Sequence, residues 1–246
     1  MSIKVGHIKI GEGQTKVCVP IVGETYEEIG ELTSKVRDCG CDIIEWRADW
    51  FEDYRNIDHI LQVLEMMRER IIDMPLIFTM RTMGEGGKAD LTYEEYEEIL
   101  LDVARSGLAD MIDVECFIDE RVSELNEKLK EEGAIVVGSY HDFEKTDSTE
   151  ELKERMRKIV GKNSDIVKIA VMPNTKDDVV NLLNATFDMT KETDKPLITM
   201  SMGKLGALSR ISGNIFGSSV TFGNYVTASA PGQIGVIKLE DILKTI

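Results

Sequence analysis

The regular alternation of short apolar runs with longer amphipathic runs constrains the fold of this 246-residue chain more than any other feature. Eight runs predict buried strands, because they are short, rich in β-branched residues and bounded by turn residues. They cover residues 17–22, 42–47, 76–81, 111–115, 135–140, 166–171, 197–201 and 220–225. Because two such strands joined by a helix run parallel, the pattern favours a parallel sheet.

Helical periodicity fills the segments between these strands, over residues 26–37, 56–71, 93–105, 119–131, 152–160, 178–192, 205–211 and 239–245. Eight strand–helix units in a chain of this length predict a closed (β/α)8 TIM barrel. The alternative is an open doubly wound sheet, but no G-x-G-x-x-G motif follows the first strand to support a dinucleotide-binding version. We expect residues 1–246 to form a single barrel domain, preceded by a β-hairpin over residues 3–16 that turns at Gly11-Glu12-Gly13.

Composition restricts the partners and the compartment. The formal net charge is −16, so the surface repels nucleic acid, and no apolar run is long enough to cross a membrane. Cys39 and Cys41 form C-x-C, which is the spacing of neither a zinc ribbon nor a C-x-x-C redox motif. With three histidines in the chain we expect no metal site, and we expect reduced cysteines and a cytoplasmic location.

Polar and sulfur-containing side chains follow the predicted strands at their carboxyl ends, which is where a (β/α)8 barrel carries its functional site. Side chains two residues apart on a strand share a face, so several of these residues should point into one cavity. The candidates are Glu45, Arg47, Arg81, Glu85, His141, Lys168, Met200 and Met202, followed by Arg210 on the next helix and by Ser229 and Gln233 in the loop after the last strand.

Lys168 stands in the middle of the sixth apolar strand. Burial disfavours the ammonium form, and the neighbouring arginines and a protonated His141 would act in the same direction, so we expect a neutral, nucleophilic amine. The concentration of arginines in a molecule of net charge −16 predicts a locally cationic pocket for a small anionic substrate. Taken singly, the same residues have structural interpretations, such as a Glu45–Arg47 ion pair or a core histidine.

The chain contains seven motifs in a fixed order: Glu45-Trp46-Arg47-x-Asp49, Arg81 with Glu85-Gly86-Gly87, His141-Asp142-Phe143, Lys168-Ile169-Ala170, Met200-x-Met202-Gly203, Ser209-Arg210 and Ala228-Ser229-Ala230-Pro231-Gly232-Gln233. Together they make the chain resemble the type I 3-dehydroquinase family, and the similarity runs from Val17 to about Ile237.

This resemblance implies dehydration of 3-dehydroquinate to 3-dehydroshikimate in the shikimate pathway, by a Schiff-base mechanism with no metal and no cofactor, in a homodimer. It implies that Lys168 forms the Schiff base, that His141 transfers protons and that Glu85 supports His141. It assigns substrate binding to Glu45, Arg47, Arg81, Arg210, Ser229 and Gln233, and we expect Met200 and Met202 to form an apolar wall.

Two other functions use the same architecture. A Schiff-base aldolase would share the lysine and would bind phosphate near the seventh and eighth strands, where Gly217-Ser218-Ser219 offers a candidate phosphate loop. A non-catalytic metabolite-binding barrel would keep the arginines but would not need a buried lysine near a histidine.

Overall fold

The computed structural model describes residues 2–225 and 230–245 of the chain. Its strands are β1 (Ile3–Val5), β2 (Ile8–Ile10), β3 (Lys16–Ile21), β4 (Ile43–Arg47), β5 (Leu76–Thr79), β6 (Met111–Glu115), β7 (Ile135–Asp142), β8 (Ile166–Val171), β9 (Leu197–Ser201), β10 (Val220–Asn224) and β11 (Ile234–Gly235). The three strands predicted over 111–115, 166–171 and 197–201 have the predicted bounds.

The helices are α1 (Tyr26–Arg37), α2 (Ile57–Ile71), α3 (Tyr93–Ser106), α4 (Val122–Glu131), α5 (Thr149–Gly161), α6 (Lys176–Glu192), α7 (Ala207–Ile211), α8 (Gly213–Phe216) and α9 (Val236–Leu243). Thr92 and Ser148 form capping boxes with Glu95 and Glu151. These boxes fix where α3 and α5 begin, because each satisfies two backbone N–H groups that the helix leaves unpaired.

Strands β3 to β10 form a closed parallel barrel. Consecutive strands from β3 to β9 pair in parallel, and β10 pairs with β3. The last gap closes through a parallel bridge between Leu197 and Ser218, where the Ser219 amide donates to the Leu197 carbonyl at 2.7 Å. The predicted (β/α)8 barrel with an N-terminal hairpin is thus confirmed, and the open sheet was the wrong alternative.

The barrel interior is apolar at the amino ends of the strands. One buried residue from each of the eight strands forms a layer there: Cys18, Ile43, Ile77, Met111, Val137, Ile166, Ile198 and Val220. Val5, Ile8 and Ile10 of the β1–β2 hairpin belong to the same apolar cluster and cover that end of the barrel. The interior is therefore solid below the layer that holds Lys168.

The hairpin differs from the prediction in its turn. Ile3 pairs with Ile10 and Val5 with Ile8, so the chain reverses at Gly6-His7 and not at Gly11–Gly13. Gly6 has a φ of +54°, which a residue with a Cβ rarely adopts. Gly11 and Gly13 instead lie in the segment between the hairpin and β3.

A second apolar cluster lies between the barrel and the surrounding helices. Trp46 illustrates how strand parity builds it, because it points outward while Glu45 and Arg47 point inward. The Trp46 ring packs on Phe51 and Phe78, with ring centroids 6.2 and 5.6 Å apart. Within residues 2–225 and 230–245, none of the helices combines the length and the apolar character needed to span a bilayer.

We predict that Ile10→Ala lowers the free energy of unfolding by about 2–5 kcal/mol, because Ile10 is fully buried under the barrel and the change leaves a cavity. The matched control Ile237→Ala removes an isoleucine that is 65% exposed and should change stability by about 0.5 kcal/mol or less. Urea unfolding of both variants measures the difference. Equal losses in the two variants would show that the hairpin does not close the barrel.

Candidate active site

The layer of side chains above the apolar layer is polar on five neighbouring strands. It consists of Glu45, Thr79, Asp113, Ser139 and Lys168, each two residues beyond an apolar residue of the layer below. All five are buried, with relative exposures between 0% and 4%. Because buried polar groups must be paired, this layer forms one connected hydrogen-bond network.

Lys168 is the centre of this network. Its Nζ donates to Asp113 Oδ2 at 2.9 Å and to Glu45 Oε1 at 3.2 Å, and it lies 4.7 Å from the ring centroid of Phe222. Burial lowers the pKa of Lys168, but the Asp113 and Glu45 carboxylates outweigh burial and raise it above its ordinary value. The expectation of a neutral amine in the free protein was therefore wrong, because it left out these carboxylates.

Arg81 ties the acids of the site together. It donates to Asp113 Oδ1 at 2.7 Å, to Glu115 Oε1 at 3.1 Å and to Ser139 Oγ at 3.1 Å. Burial opposes ionisation of Asp113, yet Arg81 and Lys168 hold the pKa of this carboxyl below its usual range. Arg81 is only 3% exposed, and its partner Asp113 also accepts from Lys168, so Arg81 helps to position the carboxylate that contacts the lysine.

His141 faces the same cavity and is paired with Glu85, with His141 Nδ1 lying 2.8 Å from Glu85 Oε2. Burial lowers the pKa of His141 well below its usual value, and Arg81 and Lys168 lower it further. Burial raises the pKa of Glu85 well above its usual value, and the Glu115 and Asp113 carboxylates act in the same direction, while Arg81 opposes them. Because its pKa is lowered, His141 is uncharged at neutral pH and is not the protonated residue we expected.

Arg47 and Glu45 do not pair with each other, contrary to the proposed ion pair. Arg47 makes two hydrogen bonds to Asp49, at 2.7 and 2.8 Å, while Glu45 accepts from Thr79 at 2.9 Å and from Lys168. Strand parity was correct in placing Glu45 and Arg47 on one face. It could not show which neighbour each would choose.

Arg210 is buried without a carboxylate partner among the described residues. It is 1% exposed, its Nη1 and Nη2 donate to the backbone carbonyls of Phe222 and Pro231 at 3.3 and 3.1 Å, and its Nε has no partner there. Burial lowers the pKa of Arg210 to about 10, so the guanidinium remains charged at neutral pH. A buried cation in this state is suited to receive an anionic ligand.

Ten of the eleven predicted site residues line one cavity at the carboxyl ends of the strands: Glu45, Arg47, Arg81, Glu85, His141, Lys168, Met200, Met202, Arg210 and Gln233. Lys168 and His141 thus share a pocket. The eleventh, Ser229, lies outside the described residues. Phe143, Ala170, Phe222 and Ala230 complete the lining.

The segment that leads from β9 into α7, which carries Arg210, is held by close backbone contact to the loop that carries Gln233. The Gly203 amide donates to the Pro231 carbonyl at 3.0 Å, and Gly232 has a φ of +78°. A Cβ at Gly232 would stand 2.2 Å from the Gly203 carbonyl oxygen, so only glycine fits there. This contact fixes the loop that carries Gln233 beside the end of β9.

The arginine count had predicted a locally cationic cavity, but in the structure carboxylates offset most of its positive charge. Arg47 and Arg81 each contact buried carboxylates, and Lys168 contacts two. Arg210 is the cation of the cavity that contacts no carboxylate among the described residues. Positive charge therefore concentrates at one side of the cavity, where an anionic group of a ligand would bind.

Asp113, Ser139 and Thr79 were missed as site residues, although a signal for them existed. Each stands two residues beyond an apolar residue of the inner layer on its own strand, as Glu45 and Lys168 do. The same two-residue spacing adds Phe222 on β10, which packs over the lysine. Counting parity on every strand would have found all four.

Gly217-Ser218-Ser219, the candidate phosphate loop, lies at the opposite end of the barrel. It immediately precedes β10 and bonds to Leu197 at the amino end of β9. No group of three or more His, Cys, Asp or Glu side chains within the described ranges is arranged to hold a metal ion. The position of this loop removes the observation that favoured a phosphate-binding aldolase.

A parallel barrel with a charged cavity at the carboxyl ends of its strands is typical of (β/α)8 barrel enzymes. A family model described as Type I 3-dehydroquinase matches residues 17–246. The chain is 42% identical over 244 residues to a 3-dehydroquinate dehydratase of Klebsiella pneumoniae, covering 98% of this chain and 97% of the relative. It is 44% identical over 243 residues to a 3-dehydroquinate dehydratase of Bacillus licheniformis, covering 98% of this chain and 96% of that relative.

Two solved structures share the fold over the whole chain. The type I 3-dehydroquinate dehydratase of Clostridium difficile, crystallised with covalent modified comenic acid, is 40% identical with a TM-score of 0.96, covering 100% of this chain and 97% of that one. The 3-dehydroquinate dehydratase of Geobacillus kaustophilus is 35% identical with a TM-score of 0.97, and the match covers 100% of this chain and 96% of that one. This chain therefore belongs to the type I 3-dehydroquinase family, a family of hydro-lyases, and the resemblance drawn from its motifs is confirmed.

We predict that Asp113→Asn lowers the pKa of Lys168 by about 1–3 units, because burial and Arg81 then act with less opposition. Reductive methylation of the free protein at a series of pH values, with mass spectrometry of the Lys168 peptide, measures the shift. Labelling should begin at lower pH than in the parent protein. Asp177→Asn, which removes an exposed acid, should leave the onset unchanged.

Should Asp113→Asn fail to fold, Glu45→Gln provides the same test, because Glu45 is the second carboxylate that raises the pKa of Lys168. An onset that is the same in these variants and in the control would contradict the assignment of the pKa shift to the two carboxylates.

Proposed function

We propose that this protein dehydrates 3-dehydroquinate to 3-dehydroshikimate, a step of the shikimate pathway, through an imine formed on Lys168. The observation that carries the proposal is the position of Lys168, which is the only buried lysine among the described residues and which faces a cavity shared with His141 and Arg210. Family membership and the names of the relatives support the reaction. A covalent complex of the Clostridium difficile relative is consistent with a covalent mechanism.

Substrate binding begins at Arg210 in this proposal. The carboxylate of 3-dehydroquinate supplies the negative charge that the buried guanidinium lacks, and its two oxygens suit the planar fork of arginine. With the carboxylate held there, the ring extends over Met200, Met202 and Phe222. The ketone then reaches Lys168, while Arg47, Glu45 and Gln233 are in position to bind ring hydroxyls.

Imine formation requires Lys168 to release a proton before it attacks. His141 is unprotonated at neutral pH and lies in the same cavity, so it can accept this proton directly or through water. The amine then adds to the ketone, and the imidazolium of His141 returns the proton to the carbinolamine hydroxyl, which leaves as water and gives an iminium. The iminium carries the positive charge that the ammonium carried, so Asp113 and Glu45 face a cation before and after this step.

The iminium makes the adjacent C–H bond acidic, because the electron pair released by proton removal moves onto nitrogen. His141 takes that proton, and the enamine formed expels the β-hydroxyl group, which leaves as water after it receives a proton from imidazolium. Glu85 holds the imidazole through Nδ1 and shares its proton. Hydrolysis of the iminium releases 3-dehydroshikimate and restores Lys168.

The remaining assignments complete the proposal. We infer that residues 1–246 act as one catalytic domain, that Ser229 helps Gln233 to bind the substrate, and that the enzyme works in the cytoplasm as a homodimer. The cysteines are all free in the structure, which is typical of a reducing compartment.

We predict that Lys168→Ala abolishes conversion of 3-dehydroquinate, while His141→Ala lowers kcat by about a hundredfold or more. Product formation is followed by the ultraviolet absorbance of the conjugated enone, and sugar phosphates serve as alternative substrates. Lys176→Ala changes an exposed lysine on α6 and is the matched control, with activity unchanged. Turnover by Lys168→Ala at the parent rate, or cleavage of sugar phosphates by the parent protein, would contradict the proposal.

We predict that Arg210→Met raises KM for 3-dehydroquinate by about ten- to a hundredfold, since a charge-assisted pair contributes about 1.5–3 kcal/mol. The urea midpoint should not fall, because the change removes a buried cation that has no carboxylate partner among the described residues. Arg105→Met, at an arginine whose side chain is 54% exposed, is the control. An unchanged KM in Arg210→Met would show that the carboxylate binds elsewhere.

A further inference from the structure

The loop between α1 and β4 brings two cysteines together at the barrel end opposite the active site. Cys39 is half-buried and Cys41 is 5% exposed, with Gly40 between them. Neither cysteine lines the cavity that contains Lys168. The proposed reaction therefore gives no reason for this pair.

The backbone of the loop turns both cysteines toward one carbonyl group. The Cys39 amide donates to the Val36 carbonyl oxygen at 3.1 Å, and the Cys41 Sγ lies 3.8 Å from the same oxygen. Gly40 makes this turn with a φ of +91°, and a Cβ there would stand 2.9 Å from Glu240 Oε1. The turn therefore holds the two cysteines close together, separated by one residue.

We propose that Cys39 and Cys41 form a thiol–disulfide exchange site that reacts with a low-molecular-weight disulfide, such as glutathione disulfide, and closes to an intramolecular disulfide. The inference is independent of the dehydratase reaction. The C-x-C spacing differs from the common C-x-x-C motif, but the turn at Gly40 keeps both cysteines beside the same carbonyl group, that of Val36. A ring this short closes with strain, so the disulfide should be readily reduced.

The two thiols have different roles. Cys39 is the attacking thiol, because it is the accessible one and because the neighbouring Cys41 lowers its pKa. Cys41 is the resolving thiol, because it is buried and because the neighbouring Cys39 and burial raise its pKa. Cys18 and Cys116 are fully buried, and burial raises the pKa of both, that of Cys116 to about 12. They should not react at comparable rates.

The exchange proceeds in two balanced steps. The Cys39 thiolate attacks one sulfur of glutathione disulfide, which forms a mixed disulfide and releases one glutathione thiolate. Cys41 then loses its proton to solvent and attacks the Cys39 sulfur, which forms the Cys39–Cys41 bond and releases the second glutathione. In sum, two protein thiols are oxidised and one glutathione disulfide is reduced to two glutathione molecules.

Mass spectrometry of the native full chain, incubated with excess glutathione disulfide and then alkylated, tests the proposal. Trypsin cuts after Arg37 and Arg47, so both cysteines lie in one peptide, residues 38–47. We expect this peptide to lose two hydrogens, to carry no glutathione and to resist alkylation. Excess reduced glutathione should restore both thiols. A lasting glutathione adduct on the parent protein, a disulfide that includes Cys18, or no reaction would overturn the proposal.

Variants separate the two steps. Cys41→Ser should stop the reaction at a stable glutathione adduct on Cys39. Cys39→Ser should slow thiol loss at least about tenfold, and it remains informative if the buried Cys41→Ser variant does not fold. Cys116→Ser is the matched control and should react like the parent. Unslowed oxidation in Cys39→Ser would contradict the role of Cys39.

Discussion

The ion pair between Lys168 and Asp113 is the interaction on which the rest of the site depends. Lys168 Nζ on β8 lies 2.9 Å from Asp113 Oδ2 on β6, and both side chains are almost fully buried. Taking these charges out of water is costly, and loss of one partner would leave the other buried and unpaired. Ser139 on the intervening strand β7 and Arg81 at the end of β5 hold the Asp113 carboxylate in place. The layer of side chains above the apolar layer is polar because it must accommodate this lysine.

The pairing of charges explains how an acidic protein can hold an anionic ligand in a site that also contains five carboxyl groups. Three of the four cations are paired with carboxylates, and His141 is uncharged at neutral pH. We therefore expect Arg210, and not the sum of the basic residues, to attract an anion. In the proposed complex the substrate carboxylate completes the pairing, while the ketone end of the substrate meets a lysine whose positive charge is retained in the iminium.

The sequence predicted the barrel because strand and helix periodicities alternate eight times, and it placed three strands with their observed bounds. It mistook the hairpin turn because Gly6-His7 and Gly11–Gly13 both permit a reversal, and only pairing of Ile3 with Ile10 distinguishes them. It found ten of the cavity residues through the two-residue parity of strands and the family motifs. The sequence did not show which carboxylate each basic side chain of the cavity pairs with. Asp113 belongs to a different strand from Lys168, and whether burial or a carboxylate determines the pKa of the lysine depends on distances that only the folded chain sets.

The central claim is that Lys168 forms a covalent imine with the substrate ketone. Sodium borohydride added during turnover of 3-dehydroquinate should reduce that imine to a stable secondary amine, which fixes the ligand to the chain. Peptide mapping of the trapped protein is the most direct measurement. The account predicts one modified peptide, the one that bears Lys168, and no modification when substrate or borohydride is omitted. Modification of another lysine, or turnover without any trapped adduct, would contradict it.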